Sequence, residues 1–288
     1  MTAEKRRWNP SSISQGVAFA LIWAAALATL AVLVFIVAYI LRLGLPHVTW
    51  HFLTGRPEAM GREGGILPTI VGTVVLALGA VLIAAPLGIG TAIFLTEYTW
   101  EGTGTRIIRF GAEALAGVPS IIYGLFGFIF FVTYLKMGWS ILSGALTLAI
   151  MILPTIIRTA EEAILTVPRP YRDVGFALGA TRWQMVTSIV LPAALPGIIT
   201  GIILAIGRSV GETAAVIFTA GTALNMPMSI FSPVRTMSVH FFILAIEGIS
   251  LPKAYATGAV LIISTLGINV LANWLIMRAV RRHRRRGA

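Results

Sequence analysis

The sequence predicts an all-α polytopic membrane protein with six transmembrane helices. Three observations carry this: 57 % hydrophobic against 11 % charged residues over 288 positions, a mean hydropathy of +0.88, and six separate apolar stretches of spanning length. Soluble domains run near ~45–50 % apolar and ~25 % charged, so a water-soluble protein is excluded. A helix needs about 20 mostly apolar residues to cross the hydrocarbon core. Runs at about 17–41, 66–95, 110–135, 138–157, 191–220 and 255–279 meet that requirement. There is no cysteine, which removes disulfides, thiolate zinc and iron–sulfur clusters.

Taken in order, the first span reads as a retained helix. Its apolar run outlasts the h-region of a signal peptide, and no A-x-A-like cleavage site follows. Residues 42–65 form a polar outer loop. In the second span Gly72, Gly79, Gly88 and Gly90 suit close helix contacts. The third contains Gly117 and Pro119, which together break or kink it, so that a new helix starts near Ser120. Broken helices in a bilayer are tolerated where they line a cavity, and such an N-terminus points N–H groups at an anion. Ser120 and Tyr123 are therefore candidate pathway residues, with ordinary Pro-kinked packing as the alternative. Arg109 and Glu113, one turn apart, read as an interfacial pair, and Glu97, Tyr98 and Glu101 as interface residues.

The fifth span carries Arg208, with Glu212 four residues later on the same helical face. An Arg at mid-bilayer costs on the order of 3 kcal/mol and needs a partner or a watery cavity. The pair either hides two charges in each other or forms a transient anion site. Between the fifth and sixth spans, residues 221–254 make a long outer loop with a short interfacial helix and a surface histidine, His240. His47 and His51 lack a third ligand, so no metal site is expected.

The net charge of +11 is mainly an orientation signal. With both termini inside, the inner segments hold Lys5, Arg6, Arg7, Arg106, Arg109, Arg158, Arg169, Arg172, Arg182 and the six arginines of 278–286, against six basic residues outside. This follows the positive-inside rule and places both ends in the cytoplasm of a cell (inner) membrane. The division is a cytoplasmic segment 1–16, a transmembrane domain 17–279 and a basic tail 280–288 against anionic lipid rather than nucleic acid.

The inner loop 158–190 carries the most pattern. A helix over 159–167 stops at Pro168 and Pro170, and a second starts near Tyr171-Arg172-Asp173, pauses at Gly179 and restarts through Thr181-Arg182-Trp183-Gln184. Phe176, Leu178, Trp183 and Met185 are too apolar for a plain connector and point to a partner surface. Asp173-Val174-Gly175, then Gly179, then Ile189-x-Leu191-Pro192 resembles the cytoplasmic loop signature of ABC importer permeases, with Asp-Val-Gly where that family usually has Glu-Ala-Ala.

Further blocks narrow the resemblance. Gly64-Gly65-Ile66-Leu67-Pro68-Thr69 and Ala116-Gly117-Val118-Pro119-Ser120-Ile121-Ile122-Tyr123-Gly124 are similar to phosphate permeases, the latter to a motif that their two permease subunits share, while Leu153-Pro154-Thr155 through Ala163 and Gly207-Arg208-Ser209-Val210-Gly211-Glu212-Thr213-Ala214 resemble the PstA type more than PstC. The resemblance covers about 60–280 and implies an ABC importer type I permease fold with a coupling-helix loop. It implies that Asp173, Val174, Gly175, Phe176, Gly179, Ala180, Thr181 and Trp183 dock an ATPase, and that Arg208, Ser209, Glu212 and Thr213 belong to the substrate path. It further implies a PstC-like permease partner, two PstB-like ATPases holding ATP and magnesium, and a PstS-like extracytoplasmic phosphate-binding protein. None of the three lysines sits in G-x-x-x-x-G-K-[ST], so no phosphate cradle for a nucleotide is legible and no cofactor is expected on this chain. A secondary transporter, a membrane sensor, and a sulfate or molybdate permease are the other readings.

Overall fold

Proline, glycine and polar caps set the helix ends, and the apolar runs between them do the rest. The computed structural model describes residues 10–100 and 102–286. Segment 1–9 with Lys5, Arg6 and Arg7, Glu101 and residues 287–288 lie outside it, as do the side chains of the basic tail beyond Arg278.

Helix α1 (Pro10–Gly44) is the first span, followed by a 3-10 turn and the short α2 (Trp50–Thr54), capped by the Thr49 hydroxyl. Strands β1 (Pro57–Glu58) and β2 (Glu63–Gly64) pair antiparallel. Their turn holds Met60 and Gly61 at φ 63° and 96°. Helix α3 (Leu67–Ile93) enters through Pro68 and ends in a π-helical turn, Phe94–Tyr98. Helix α4 (Thr103–Ala116) meets α5 (Ser120–Gly127, continued to Tyr134 by a π turn) at 99°. Helix α6 (Ile141–Leu165) is capped by Ser140.

Helices α7 (Arg169–Ala177) and α8 (Arg182–Met185) form the connector, and a π turn leads from α8 into α9 (Leu191–Gly211). Then come α10 (Ala214–Thr219), α11 (Met237–Ile246) and α12 (Leu251–Arg286). Among the described residues, five helical runs are long and apolar enough to cross a membrane, and the bent α4–α5 pair, counted as one span, makes a sixth.

One expected break holds and two expected boundaries move. The third span is broken where Gly117 and Pro119 predict it, with α5 starting at Ser120. The fifth ends at Gly211 instead of near 220, because Glu212 turns extended (φ −72°, ψ 134°). The inner connector narrows to 166–181, since α6 runs on to Leu165 and α8 also opens the next run of spanning length, at Arg182.

The centre of the bundle is α3 against α6, with α9 beside them. Leu76, Ala80 and Ala84 of α3 meet Leu148, Ile152 and Ile156 of α6, with Ala205 of α9 and Val216 of α10 closing the cluster. Glycines permit the approach: a Cβ on Gly88 would stand 2.7 Å from Ile156 Cγ2, and one on Gly72 would strike Val234. Gly79 would meet Ala145, whereas Gly90 faces open space. A second cluster, with Ala160, Ile164, Met185, Val190 and Ile198, ties the connector end together. By contrast, α1 rests chiefly on α12 and keeps its apolar surface outward, as a helix facing lipid or a partner chain does.

The outer-loop expectations are corrected. Helix α11 does not lie on the surface, because Met237–His240 are buried against α3 and α12. His240 is 1 % exposed. Arg235, also buried, donates Nε to Thr222 O at 2.8 Å and lies 3.4 Å from His240 Nδ1 through Nη1. Burial, reinforced by Arg235, pushes the His240 imidazole down to about 4, so it is neutral at physiological pH.

Candidate functional site

Two places concentrate the chemistry, and the helical run 182–211 joins them. At about 1.5 Å per residue, the 26 residues from Arg182 to Arg208 separate them by about 39 Å.

At the far end, the helix break decides the geometry. The Glu212 carboxylate does not share a face with Arg208. Its Oε1 accepts the N–H groups of Thr213 (3.1 Å) and Ala215 (3.2 Å), capping the first turn of α10. The Glu212 carbonyl accepts the Ser238 hydroxyl at 2.6 Å, which fixes the break to α11. Among the described residues, no hydrogen bond reaches Glu212 Oε2. The expected i, i+4 ion pair is therefore absent: no carboxylate of the described residues lies within 4.0 Å of the Arg208 guanidinium. Arg208 makes one long contact, Nη1 to Thr155 Oγ1 at 3.4 Å. It is exposed, on a stripe with Thr200, Leu204 and Gly211.

The other expected pathway residues divide. Ser120 is half-exposed at the first turn of α5, and Thr213 is half-exposed at the cap of α10. Two are corrected. Ser209 is 3 % exposed and donates to Ala205 O at 3.0 Å, so it faces the core. Tyr123 is 5 % exposed and donates its hydroxyl to Leu115 O at 2.7 Å, which bridges the α4–α5 bend. It lies within electrostatic range of Arg208 but does not line an open surface.

At the near end, α7 and α8 form a protruding knob. Thr181 and Gln184 make a reciprocal capping box, and Gly179 takes φ +80° between the helices. Val174 (58 %), Phe176 (46 %), Leu178 (83 %) and Trp183 (64 %) stand exposed, and Asp173 with them. Met185, expected in that patch, is instead buried beneath it. Gly175 explains the departure from Glu-Ala-Ala, since a Cβ there would stand 2.9 Å from Ile189 Cδ1 and 3.3 Å from Met185 Cγ. Ala180 is half-buried behind the turn.

Sequence reasoning missed the ion pairs around this knob. Arg109 pairs with Glu161 at 2.7 Å rather than with Glu113. Glu97 is buried rather than open to the interface: its side chain is 5 % exposed and pairs with Arg172 at 2.7 Å. Arg182 lies 5.9 Å above the Tyr98 ring and donates to Glu97 O at 3.3 Å.

Comparison with known proteins places this architecture. A family described as binding-protein-dependent transport system inner membrane component matches residues 84–285. YqgI of Bacillus subtilis, a probable ABC transporter permease protein, is 36 % identical over 85 % of this chain and 89 % of its own. The phosphate transport system permease protein PstC of Mesorhizobium japonicum is 33 % identical over 74 % of both chains. PstA 2 of Mycobacterium bovis is 33 % identical over 72 % of this chain and 69 % of its own. A chain of a bacterial alginate ABC transporter, solved with its alginate-bound periplasmic protein, superposes with a TM-score of 0.68 at 17 % identity, covering 95 % of this chain and 98 % of that one. A chain of the MetNI methionine transporter in an inward-facing form gives 0.63 at 16 %, covering 74 % and 95 %. At such identities these two matches show the fold. The chain belongs to the inner membrane component family of binding-protein-dependent transport systems, as a multi-pass ABC importer permease.

Proposed function

We propose that this chain is the PstA-type half of the translocation path in an ATP-driven phosphate importer, with both termini in the cytoplasm. One observation carries the reading: a single helical run, 182–211, links an exposed apolar knob to an exposed guanidinium that no carboxylate of the described residues neutralises. A planar, permanently charged fork suits a tetrahedral oxyanion. The cost of an exposed Arg in the membrane is met if its stripe faces a watery path shared with a PstC-like partner.

Relatives named as phosphate transport permeases support phosphate as the solute. The chemistry agrees. Monohydrogen phosphate carries a proton that the open Oε2 of Glu212 can accept, and sulfate does not. With only Arg208 as a full charge, the anion is held weakly enough to leave. The knob takes two PstB-like ATPases into the assembly through one docking loop per permease. ATP and magnesium belong to those subunits, and a PstS-like binding protein delivers phosphate from outside. Uptake of labelled phosphate at micromolar concentration, with arsenate and sulfate as competitors, tests the reading. It predicts uptake that depends on this chain, competition by arsenate and none by sulfate. Unchanged uptake without the chain, or equal competition by sulfate, overturns it.

A further inference from the structure

Helix α7 of the knob is attached to the membrane domain by little apolar surface. Gly175 is the one buried residue of α7, Arg172 is half-buried, and every other residue of that helix is exposed. Both of its connections are built to pivot. Thr166–Pro168 separates it from α6, and Leu178–Ala180, with Gly179 at φ +80°, separates it from α8. A helix hung between two turns rotates when pushed, unless something else holds it.

Arg172 supplies the hold. Its guanidinium reaches the Glu97 carboxylate through Nε (3.0 and 3.3 Å) and Nη2 (2.7 Å). The same group donates Nη1 to Val167 O at 2.6 Å and Nη2 to Ile164 O at 3.1 Å. One side chain therefore ties α7 to the end of α6 and to the π turn closing α3. Glu97 is 75 residues away in sequence, and α4, α5 and α6 lie between it and the knob along the chain. A forked, charge-assisted tie fixes direction as well as distance, which a point charge does not.

We infer that Arg172 and Glu97 are positioning residues for energy coupling: they lock α7 to α3 and α6 so that a push on the knob moves those spans instead of being lost in rotation. This deepens the importer reading and rests on it. The null expectation is a tie that only maintains the fold, and the two differ in what they do to coupling. With the tie intact, α7 and the end of α3 move as one body. The distance between them then stays constant through the nucleotide cycle, and uptake stays proportional to hydrolysis.

The test uses the assembled transporter, with its partner subunits, in phospholipid vesicles. The chain has no cysteine, so Phe94→Cys and Val174→Cys, both at exposed positions, place nitroxides on it at two sites only. The distance is read without nucleotide and with a non-hydrolysable ATP analogue. It is expected to be the same in both states with Glu97 present and to differ between them in Glu97→Gln. Phosphate taken up per ATP hydrolysed is expected to fall about tenfold in Glu97→Gln, the scale of one lost charge-assisted bond, with hydrolysis retained. A distance that stays constant in Glu97→Gln overturns the inference, as does a parallel fall of uptake and hydrolysis. The distance needs no transported solute. Vesicles with Glu97 present that hydrolyse ATP without moving phosphate therefore count against the phosphate reading, while the distance still decides the tie.

Discussion

Arg172 and Arg208 sit at opposite ends of one helical assembly and are used in opposite ways. Arg172 is 17 % exposed in its side chain, with a carboxylate and two carbonyls around it. Arg208 is exposed and touches one threonine hydroxyl at 3.4 Å. A guanidinium whose three nitrogens each donate to a fixed acceptor is part of the frame. One whose donors are left open is placed for an anion that comes and goes. The same contrast holds for the carboxylates, with Glu97 spent on Arg172 and Glu212 half spent on capping α10. Residue type did not separate these roles; the partners did.

Substitutions can break or sharpen that contrast, beginning with the largest effect. Arg172→Ala leaves Glu97 charged, buried and unpaired, and is expected to cost about 3–5 kcal/mol. It should appear as a lower melting temperature of the purified complex, whereas Arg208→Ala should leave that temperature nearly unchanged. Acid comes next. The His240 pKa is lower folded (about 4) than unfolded, so its contribution is complete above pH 6.5 and is lost as pH falls toward 4. The loss is about 3 kcal/mol, seen as pH-dependent melting that His240→Gln flattens. Gly88→Val forces an isopropyl group into Ile156 of the α3–α6 contact and should cost about 1–3 kcal/mol by the same assay. Thr181→Ala removes the capping box of α8 and should cost about 1 kcal/mol. Glu162→Ala breaks an ion pair whose side chains are 65 % and 67 % exposed, and should change stability by less than about 0.5 kcal/mol. A large effect there would undo the distinction between framed and open charges.

Much of the fold was legible because hydropathy, proline and glycine are local signals. The six runs, the break before Ser120 and the restart at Thr181 all follow from residues within a few positions of each other. The break at Glu212 was also present in the sequence, since Gly211 followed by Glu and Thr is a stop and a cap. Reading Arg208 and Glu212 as one helical face overlooked it. His240 was misplaced for a related reason. Met237, Val239, Phe241 and Phe242 surround it, which gives α11 apolar residues on several faces, and its first turn is buried. The Arg172–Glu97 and Arg109–Glu161 pairs were not legible, because partners 75 and 52 residues apart are joined only by the packing of α3, α4 and α6.

The central claim is that Arg208 is an open anion site on the transport path, and Arg208→Gln tests it most directly. Phosphate uptake by cells carrying this variant is measured at protein levels equal to wild type. Uptake should fall by at least about tenfold, as expected when a charge-assisted contact to the moving anion is lost, with the amount of assembled complex unchanged. Uptake at the wild-type rate would contradict the claim and leave Arg208 as a charge that only faces water.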